Sequence, residues 1–401
     1  MSSPEPSPNA APPRSPFKSL LNFLRLVGIN FLIFAVLAEL CSVIYINVTN
    51  WPSSKPTYHV NYNSFWADIN PAFGVWHRPN GRFYHQGGCF NVVYTTNSYG
   101  ARDVERSLRS DRPRTVVLGD SFVEGLGVAD QYRLTNILEK QLGREYLNFG
   151  TGGDFGPLQY ALLYKTLADK FDHDVVLVGV LPDNDFRDMS YEWGKTHHSG
   201  RYRPYYADDF SIFYTGKFDP KAGEGFWDHV EAYLRAYLAS YHVGQFLYSS
   251  LYWRLAPPYS GYNDYNNVDF ARLEHALADI KATAEAHRAQ MGVFLIPAYT
   301  DFLRYRQSHA DKVGPAVEQW GKANGIPVKD LLPEMDARAG KDPRDFFLKC
   351  DGHWSPEGGQ AAAEALEPWL TQLDQSADAH ASAPAAEEPS PGEAGASAKA
   401  P

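Results

Sequence analysis

The chain is poor in cysteine, with three among 401 residues. So few thiols exclude a disulfide scaffold and allow one bridge at most. Basic runs are missing after the first 25 residues and the formal net charge is −10. The clustered Lys and Arg that a phosphate backbone demands are absent, so nucleic acid is not expected as a partner. Histidines and carboxylates do not fall at a recognisable ligand spacing, so no metal and no other cofactor is expected. Internal repeats of solenoid or propeller period are also lacking.

One long apolar run is present, Leu26 to Ile46 (LVGINFLIFAVLAELCSVIYI). It matches the length that crosses a hydrocarbon core of about 30 Å as a helix. Arg14, Lys18 and Arg25 precede it and Lys55 alone follows closely, which leaves the N-terminus cytoplasmic. The expected layout is a disordered cytoplasmic tail (1–19), a transmembrane helix (20–48), an outer domain (51–374) and a disordered tail (375–401). Both tails are rich in Pro, Ala, Ser or Glu and offer little apolar surface to offset ordering entropy. The protein is then a single-pass protein of the plasma (inner) membrane whose main domain is periplasmic or extracellular. A signal peptide cleaved after Ala38 is the rival reading, although its apolar region would be about 7–15 residues. Glu39, inside the run, either marks a membrane partner for this helix or snorkels to the interface. With Cys41 in the run, Cys89 and Cys350 remain, either paired in an oxidising compartment or as two free thiols.

Beyond the anchor, β-rich runs alternate with helical patterns. Thr115–Leu118, Tyr146–Phe149, Asp174–Leu181, Met291–Pro297 and Ile326–Val328 are short apolar runs bounded by Gly, Asp or Pro, as buried parallel strands are. Tyr160, Leu163, Tyr164 and Leu167, then Phe270, Leu273, Leu277 and Ile280, follow helical spacing, and a last helix is expected over residues 359–373. This alternation predicts an α/β fold, a parallel sheet with helices on both faces and a site at the carboxyl ends of the strands. Residues 186–268 break the pattern. This insertion holds 22 Phe, Tyr or Trp in 83 residues, and reads as a cap beside the site, its rings either stacking on sugars or filling a core of their own.

Four segments carry the chemistry. TVVLGDSFVEG puts Ser121 in the turn from a strand into a helix, exposed for attack. A serine hydroxyl needs a base, and KCDGHWSPEGG offers His353 with Asp351 two residues before it. LNFGTGGDFGPLQ leaves unencumbered N–H groups at its glycines, and GVLPDND ends a strand with Asn184; both supply donors for a developing oxyanion.

In order and spacing these segments resemble the four blocks of the SGNH (GDSL-like) hydrolase superfamily over residues 114–373. The resemblance implies a flavodoxin-like sheet, with Ser121 as nucleophile, His353 as base, Asp351 aligning His353, and Gly153 and Asn184 completing the oxyanion site. Only Gly352 separates Asp351 from His353, as in relatives that acetylate bacterial polysaccharides, and Pro182 and Asp183 stand where a glycine usually precedes the Asn-Asp pair. The expected function is a membrane-anchored, extracytoplasmic serine esterase acting on O-acyl esters of a small molecule, envelope glycan or glycolipid. A polysaccharide O-acetyltransferase using the same acyl-enzyme is the first alternative. A catalytically inactive, tethered carbohydrate-binding or assembly protein is the second.

Overall fold

The computed structural model describes residues 16–382 apart from 51, 53, 256–258 and 310. Its core is a five-stranded, all-parallel sheet of β1 (Arg114–Gly119), β2 (Glu145–Gly150), β3 (Val175–Val180), β4 (Gln290–Leu295) and β5 (Val328–Asp330) in the order 5-4-3-1-2. Val116 pairs with Leu147 on one side and Val176 on the other, and Val293 lies between Val178 and Val328. Read from its other edge the order is 2-1-3-4-5, the flavodoxin-like winding, which reverses direction between β1 and β3 and opens a crevice there.

The strands are apolar along their whole length because helices cover both faces. Val116, Val117, Leu118, Val176, Leu177 and Val178 are fully buried. One face is covered by α3 (Leu134–Leu142) and the C-terminal α9 (Pro356–Ser382), the other by α4 (Pro157–Thr166) and α8 (Asn267–Ala286). The predicted stripes sit inward, with Tyr160, Leu163, Tyr164, Leu273, Leu277 and Ile280 buried; Leu167 lies just past the end of α4. The last strand begins two residues later than the sequence suggests. Pro327 has no N–H to give a ladder, so pairing starts at Val328 while Ile326 is buried in the turn before it.

Ahead of β1 stand two antiparallel pairs that the sequence reading did not anticipate, Ala67–Asn70 with Gly74–Trp76 and Arg82–Gln86 with Asn91–Thr95. A third pair, Arg203–Tyr206 with Ile212–Thr215, belongs to the aromatic insertion. The insertion continues into α6 (Phe226–Tyr237) and α7 (Ala239–Leu255).

Helix α1 (Pro16–Thr49) spans 34 residues, about 51 Å at 1.5 Å per residue. It is the one helix among the described residues long and apolar enough to cross a membrane. Both expected tails are partly helical, which corrects the reading of 1–19 and 375–401 as wholly disordered: α1 already begins at Pro16 and α9 runs on to Ser382. Extending a helix costs little once nucleated; proline suits the first position and alanine at every second residue after Ser376 sustains the other end. Residues 1–15 and 383–401 lie outside the described residues.

Glu39 finds its partner within the same chain. Its carboxylate accepts the N–H groups of Ala239 (2.7 Å) and Ser240 (3.0 Å) at the start of α7. Of the two alternatives for Glu39, a partner for its helix or snorkelling, the structure gives it a partner: the free N–H groups of a helix start meet the charge.

Candidate active site

Strand β1 ends at Gly119, where an added Cβ would come 2.3 Å from the Val123 side chain. Glycine therefore lets the short helix α2 (Ser121–Glu124) fold directly back over the strand end. Asp120 caps it, in extended conformation, its carboxylate accepting the Phe122 N–H at 3.0 Å. Ser121, the first residue of α2, is left with its hydroxyl 2.7 Å from His353 Nε2.

His353 lies in the loop that leads into α9. The Leu348 N–H donates to the His353 carbonyl at 2.8 Å and the Ser355 N–H to the Phe346 carbonyl at 2.9 Å, which closes the loop on itself. A disulfide between Cys350 and Cys89, with Cα atoms 5.6 Å apart, ties it to the turn of the 82–95 hairpin. Of the two alternatives for these cysteines, the structure has the bridge. Asp351 bonds to His353 Nδ1 and also accepts the His353 backbone N–H at 3.2 Å. Burial works against an imidazolium at His353, but the adjacent Asp351 carboxylate outweighs it and raises the pKa above the ordinary histidine value. Burial likewise pushes Asp351 up, and His353 more than reverses this, holding it below the usual carboxylate range. Carboxylate, imidazole and hydroxyl thus form one hydrogen-bonded line that can take a proton from Ser121 and hold it as an ion pair.

The two expected oxyanion residues lie on the same sheet edge. Gly153 follows β2 with φ +84°, and a Cβ there would press within 3.1 Å of both Val75 and Trp66, so backbone and space both call for glycine. Asn184 follows β3 on α5 (Pro182–Asp188), despite the Pro182-Asp183 departure: proline occupies the first turn, where its missing N–H costs nothing. Its amide donates to Asp120 at 3.4 Å, and its buried carbonyl oxygen has no hydrogen-bond partner among the described residues. Burial pushes the Asp120 carboxyl up to about 6.

Glu124, which sequence reasoning passed over, links these parts. It is fully buried at the end of α2 and accepts the Trp66 indole N–H at 2.9 Å and the Gly152 N–H. His77 lies 3.7 Å from its other oxygen and is held by the Gly100 carbonyl (2.9 Å) and the Thr151 hydroxyl (3.0 Å). Burial pushes Glu124 up, but His77 and the other donors more than offset it and hold it below the ordinary value. The helix that carries the nucleophile therefore grips the glycine turn through one carboxylate. Arg102, also fully buried, donates to the carbonyls of Glu124 (3.1 Å), Gly125 and Val128 (2.6 Å) while its guanidinium lies 3.7 Å from the centre of the Tyr94 ring. Glu124 stood within the DSFVEG run, but a buried carboxylate and a solvated one look alike in sequence.

The space directly at Ser121 is small, about 10 Å³, room for about one water. Phe122, Leu126, Tyr132, Arg133 and Trp354 line it, and none of the described residues of 186–268 does. The insertion borders the site at the glycine turn. Its first half braces the glycine turn, where Arg201 donates to the Gly153 carbonyl at 3.2 Å, and its rings largely pack on one another, as in the Tyr191, Tyr205 and Phe213 group. A larger cavity of about 240 Å³ lies between the 82–95 hairpin and α6, lined among others by Trp66, which donates to Glu124, and by His85; burial lowers His85 to about 4. Asp154, Asp188 and His198 form the one metal-like cluster found among the described residues. His198 faces Asp154 with Nδ1 (3.4 Å) and Asp188 with Nε2 (3.5 Å). One ligand atom from each of the three residues lies within 4.8 Å of the others, and the imidazole stands between the two carboxylates.

Residues 263–400 match the family model of the SGNH hydrolase-like domain of the acetyltransferase AlgX. The match takes in Asp351 and His353; Ser121, Gly153 and Asn184 precede it. A search of curated proteins finds no match. Solved structures similar to the chain include a GDSL-like lipase from Bacteroides thetaiotaomicron VPI-5482, 12% identical over 68% of this chain and 93% of that one, with a TM-score of 0.36. TesA is 15% identical over 65% of this chain and 99% of its own, with a TM-score of 0.37. A two-domain esterase active on acetylated mannans is 10% identical over 66% of this chain and 50% of that one, with a TM-score of 0.36. At these TM-scores the superpositions carry no functional inference. Family match and strand order together give the chain an SGNH hydrolase-like fold, of the superfamily whose blocks its sequence resembles.

Proposed function

We propose that this SGNH-type chain is a membrane-anchored, extracytoplasmic enzyme that transfers acyl groups through Ser121. In this reading Ser121 attacks an ester carbonyl, His353 takes its proton, and Asp351 keeps the imidazole in the right tautomer and stabilises its charge. The tetrahedral oxyanion is met by backbone N–H groups at Ser121 and Gly153 and by the Asn184 amide, fixed dipoles that need no reorganisation during reaction. Collapse expels the alcohol, protonated by His353, and water delivered by the same base then releases the acid. The observation that carries the reading is the 2.7 Å contact from the Ser121 hydroxyl to His353, whose far nitrogen is bonded to Asp351.

A tethered domain with a single apolar helix suits a substrate held near the membrane, an O-acylated envelope glycan or glycolipid. A second reading, transfer of the acyl group to a sugar hydroxyl in place of water, is favoured by the Asp-x-His spacing and by the match to an acetyltransferase's domain. The test is turnover of an activated acetyl ester by the full chain, with and without glycan acceptors, beside Ser121→Ala and His353→Ala. Loss of turnover in both variants supports the mechanism, and acetyl appearing on the glycan selects transfer. A folded wild-type chain that neither turns over ester nor labels at Ser121 would leave the inactive binding protein as the reading.

A further inference from the structure

The space at Ser121 has room for about one water, so a substrate must be gripped elsewhere. The cavity of about 240 Å³ between the 82–95 hairpin and α6 offers such a hold, and the second half of the aromatic insertion forms one of its walls. Trp66 joins this cavity to the helix of the nucleophile. Its indole N–H donates to Glu124 at 2.9 Å, and Glu124 stands three residues, about 4.5 Å of helix rise, from Ser121 on α2. The same indole lies against the glycine turn, where a Cβ on Gly152 would come 2.8 Å from Trp66 Nε1. Phe65 and Phe83, also on the lining, pack against Trp66 with ring centres 5.1 and 5.7 Å away.

The polar groups on the lining decide what fits. The Tyr94 hydroxyl accepts the Gly127 N–H at 2.6 Å, so its own proton goes to His85 Nδ1, 2.8 Å away. A neutral imidazole that accepts at Nδ1 carries its proton on Nε2, and burial, which lowers His85, keeps it neutral. Nε2 is then a donor held in a fixed ring, with no partner among the described residues. The side-chain amides of Asn63 and Gln86, on the same lining, make no hydrogen bond among the described residues either. Asn61, by contrast, is used up, its amide bonded to both the C=O and the N–H of Tyr84. The carboxylates of the lining, Asp228 and Glu231, are exposed at its rim and are matched by Lys55 and Arg235. Rings below, unpaired amide and imidazole groups around them and balanced charge suit an uncharged sugar, whose C–H faces pack on rings while its hydroxyls take the polar groups. An acyl tail would leave those groups unpaired, and a polyanion would call for a surplus of Arg or Lys.

We infer that this cavity is a sugar subsite. One uncharged pyranose ring of the substrate glycan sits there against Trp66, its hydroxyls bonded by His85 Nε2, Asn63 and Gln86, while the esterified ring of the same glycan is presented to Ser121. Binding energy gathered away from the reacting carbonyl is what a nucleophile with so little room of its own can use to orient the ester. The inference rests on the glycan reading given above and names where that glycan is held.

The test is a saturation-transfer NMR titration of the full chain, in a sugar-free zwitterionic detergent, with cellohexaose, mannohexaose or chitohexaose, beside turnover of the activated acetyl ester. Circular dichroism reports the folding of each variant. Ala232, on α6, lines the cavity and lies outside the catalytic groups. Ala232→Trp fills the space and should abolish sugar binding while turnover of the small ester is kept. Asn63→Ala, at an exposed position, removes one hydrogen bond and should weaken binding about three- to tenfold. Binding of at least one hexasaccharide, lost in this way, supports the subsite. Binding of none of the three would overturn it, as would binding left intact in a folded Ala232→Trp; should that variant fail to fold, intact binding in Asn63→Ala overturns it. Sugar bound with this pattern by a wild-type chain that turns over no ester would keep the subsite and remove the catalytic reading.

Discussion

Between the Ser121 hydroxyl and the Asp351 carboxylate stands an imidazole whose proton affinity both neighbours control. Catalysis needs His353 neutral at the start, and its pKa is raised, so activity should fall as pH drops through a value above the ordinary histidine pKa of about 6.5. Asp351→Asn removes the charge that supports the imidazolium. It should lower kcat by roughly 10³–10⁴-fold and move the acid limb of the kcat/KM profile to lower pH; a limb that stays put would assign it to another group. For stability the signs differ between the partners. His353, raised, contributes below its unfolded pKa and loses that contribution as pH rises through its folded value. Asp351, lowered, contributes above its unfolded pKa and loses that contribution as pH falls through its folded value. The ion pair therefore stabilises most in the window between the two. Glu124 acts through the glycine turn and not on substrate. Glu124→Gln keeps its size but weakens its hold on the Gly152 N–H, and should reduce kcat about tenfold with KM little changed, measured on an activated ester.

At the level of elements, the catalytic loop depends on the bridge from Cys350 to Cys89, which closes 261 residues. In the chain-entropy picture such a loop contributes up to about 5 kcal/mol. Cys89→Ser with Cys350→Ser should lower the urea midpoint and the activity together, since the same bridge steadies the segment that carries His353. Arg102 supports the opposite bank by satisfying the carbonyls at the end of α2. Arg102→Leu should cost on the order of 3 kcal/mol in chemical unfolding, because buried carbonyls lose a charged donor. The strands of the sheet were legible because parallel strands buried on both faces are apolar at every position, as Val116 to Leu118 are. Ser121 and His353 were legible because their segments are local, a turn after a strand and a loop before a helix. The hairpins over 67–95 were not, since short half-buried strands such as Arg82–Gln86 carry little pattern of their own. Glu124 and the identity of the Glu39 partner were opaque for another reason: the partners are distant in sequence, Trp66 before the sheet begins and Ala239 200 positions away.

For the whole molecule, the Glu39 contact joins helix α1 to the domain through the start of α7. Membranes carrying the full chain should retain it through alkaline carbonate extraction, whereas a chain cleaved after Ala38 would be released. The central claim, that Ser121 is a nucleophile activated by His353, is tested most directly by exposing the folded full chain to a serine-reactive phosphonate and locating the adduct by peptide mass spectrometry. The account predicts stoichiometric modification at Ser121 in the wild type, its loss in Ser121→Ala, and a rate reduced by several orders of magnitude in His353→Ala. Modification elsewhere, or equal labelling of Ser121 with and without His353, would contradict it.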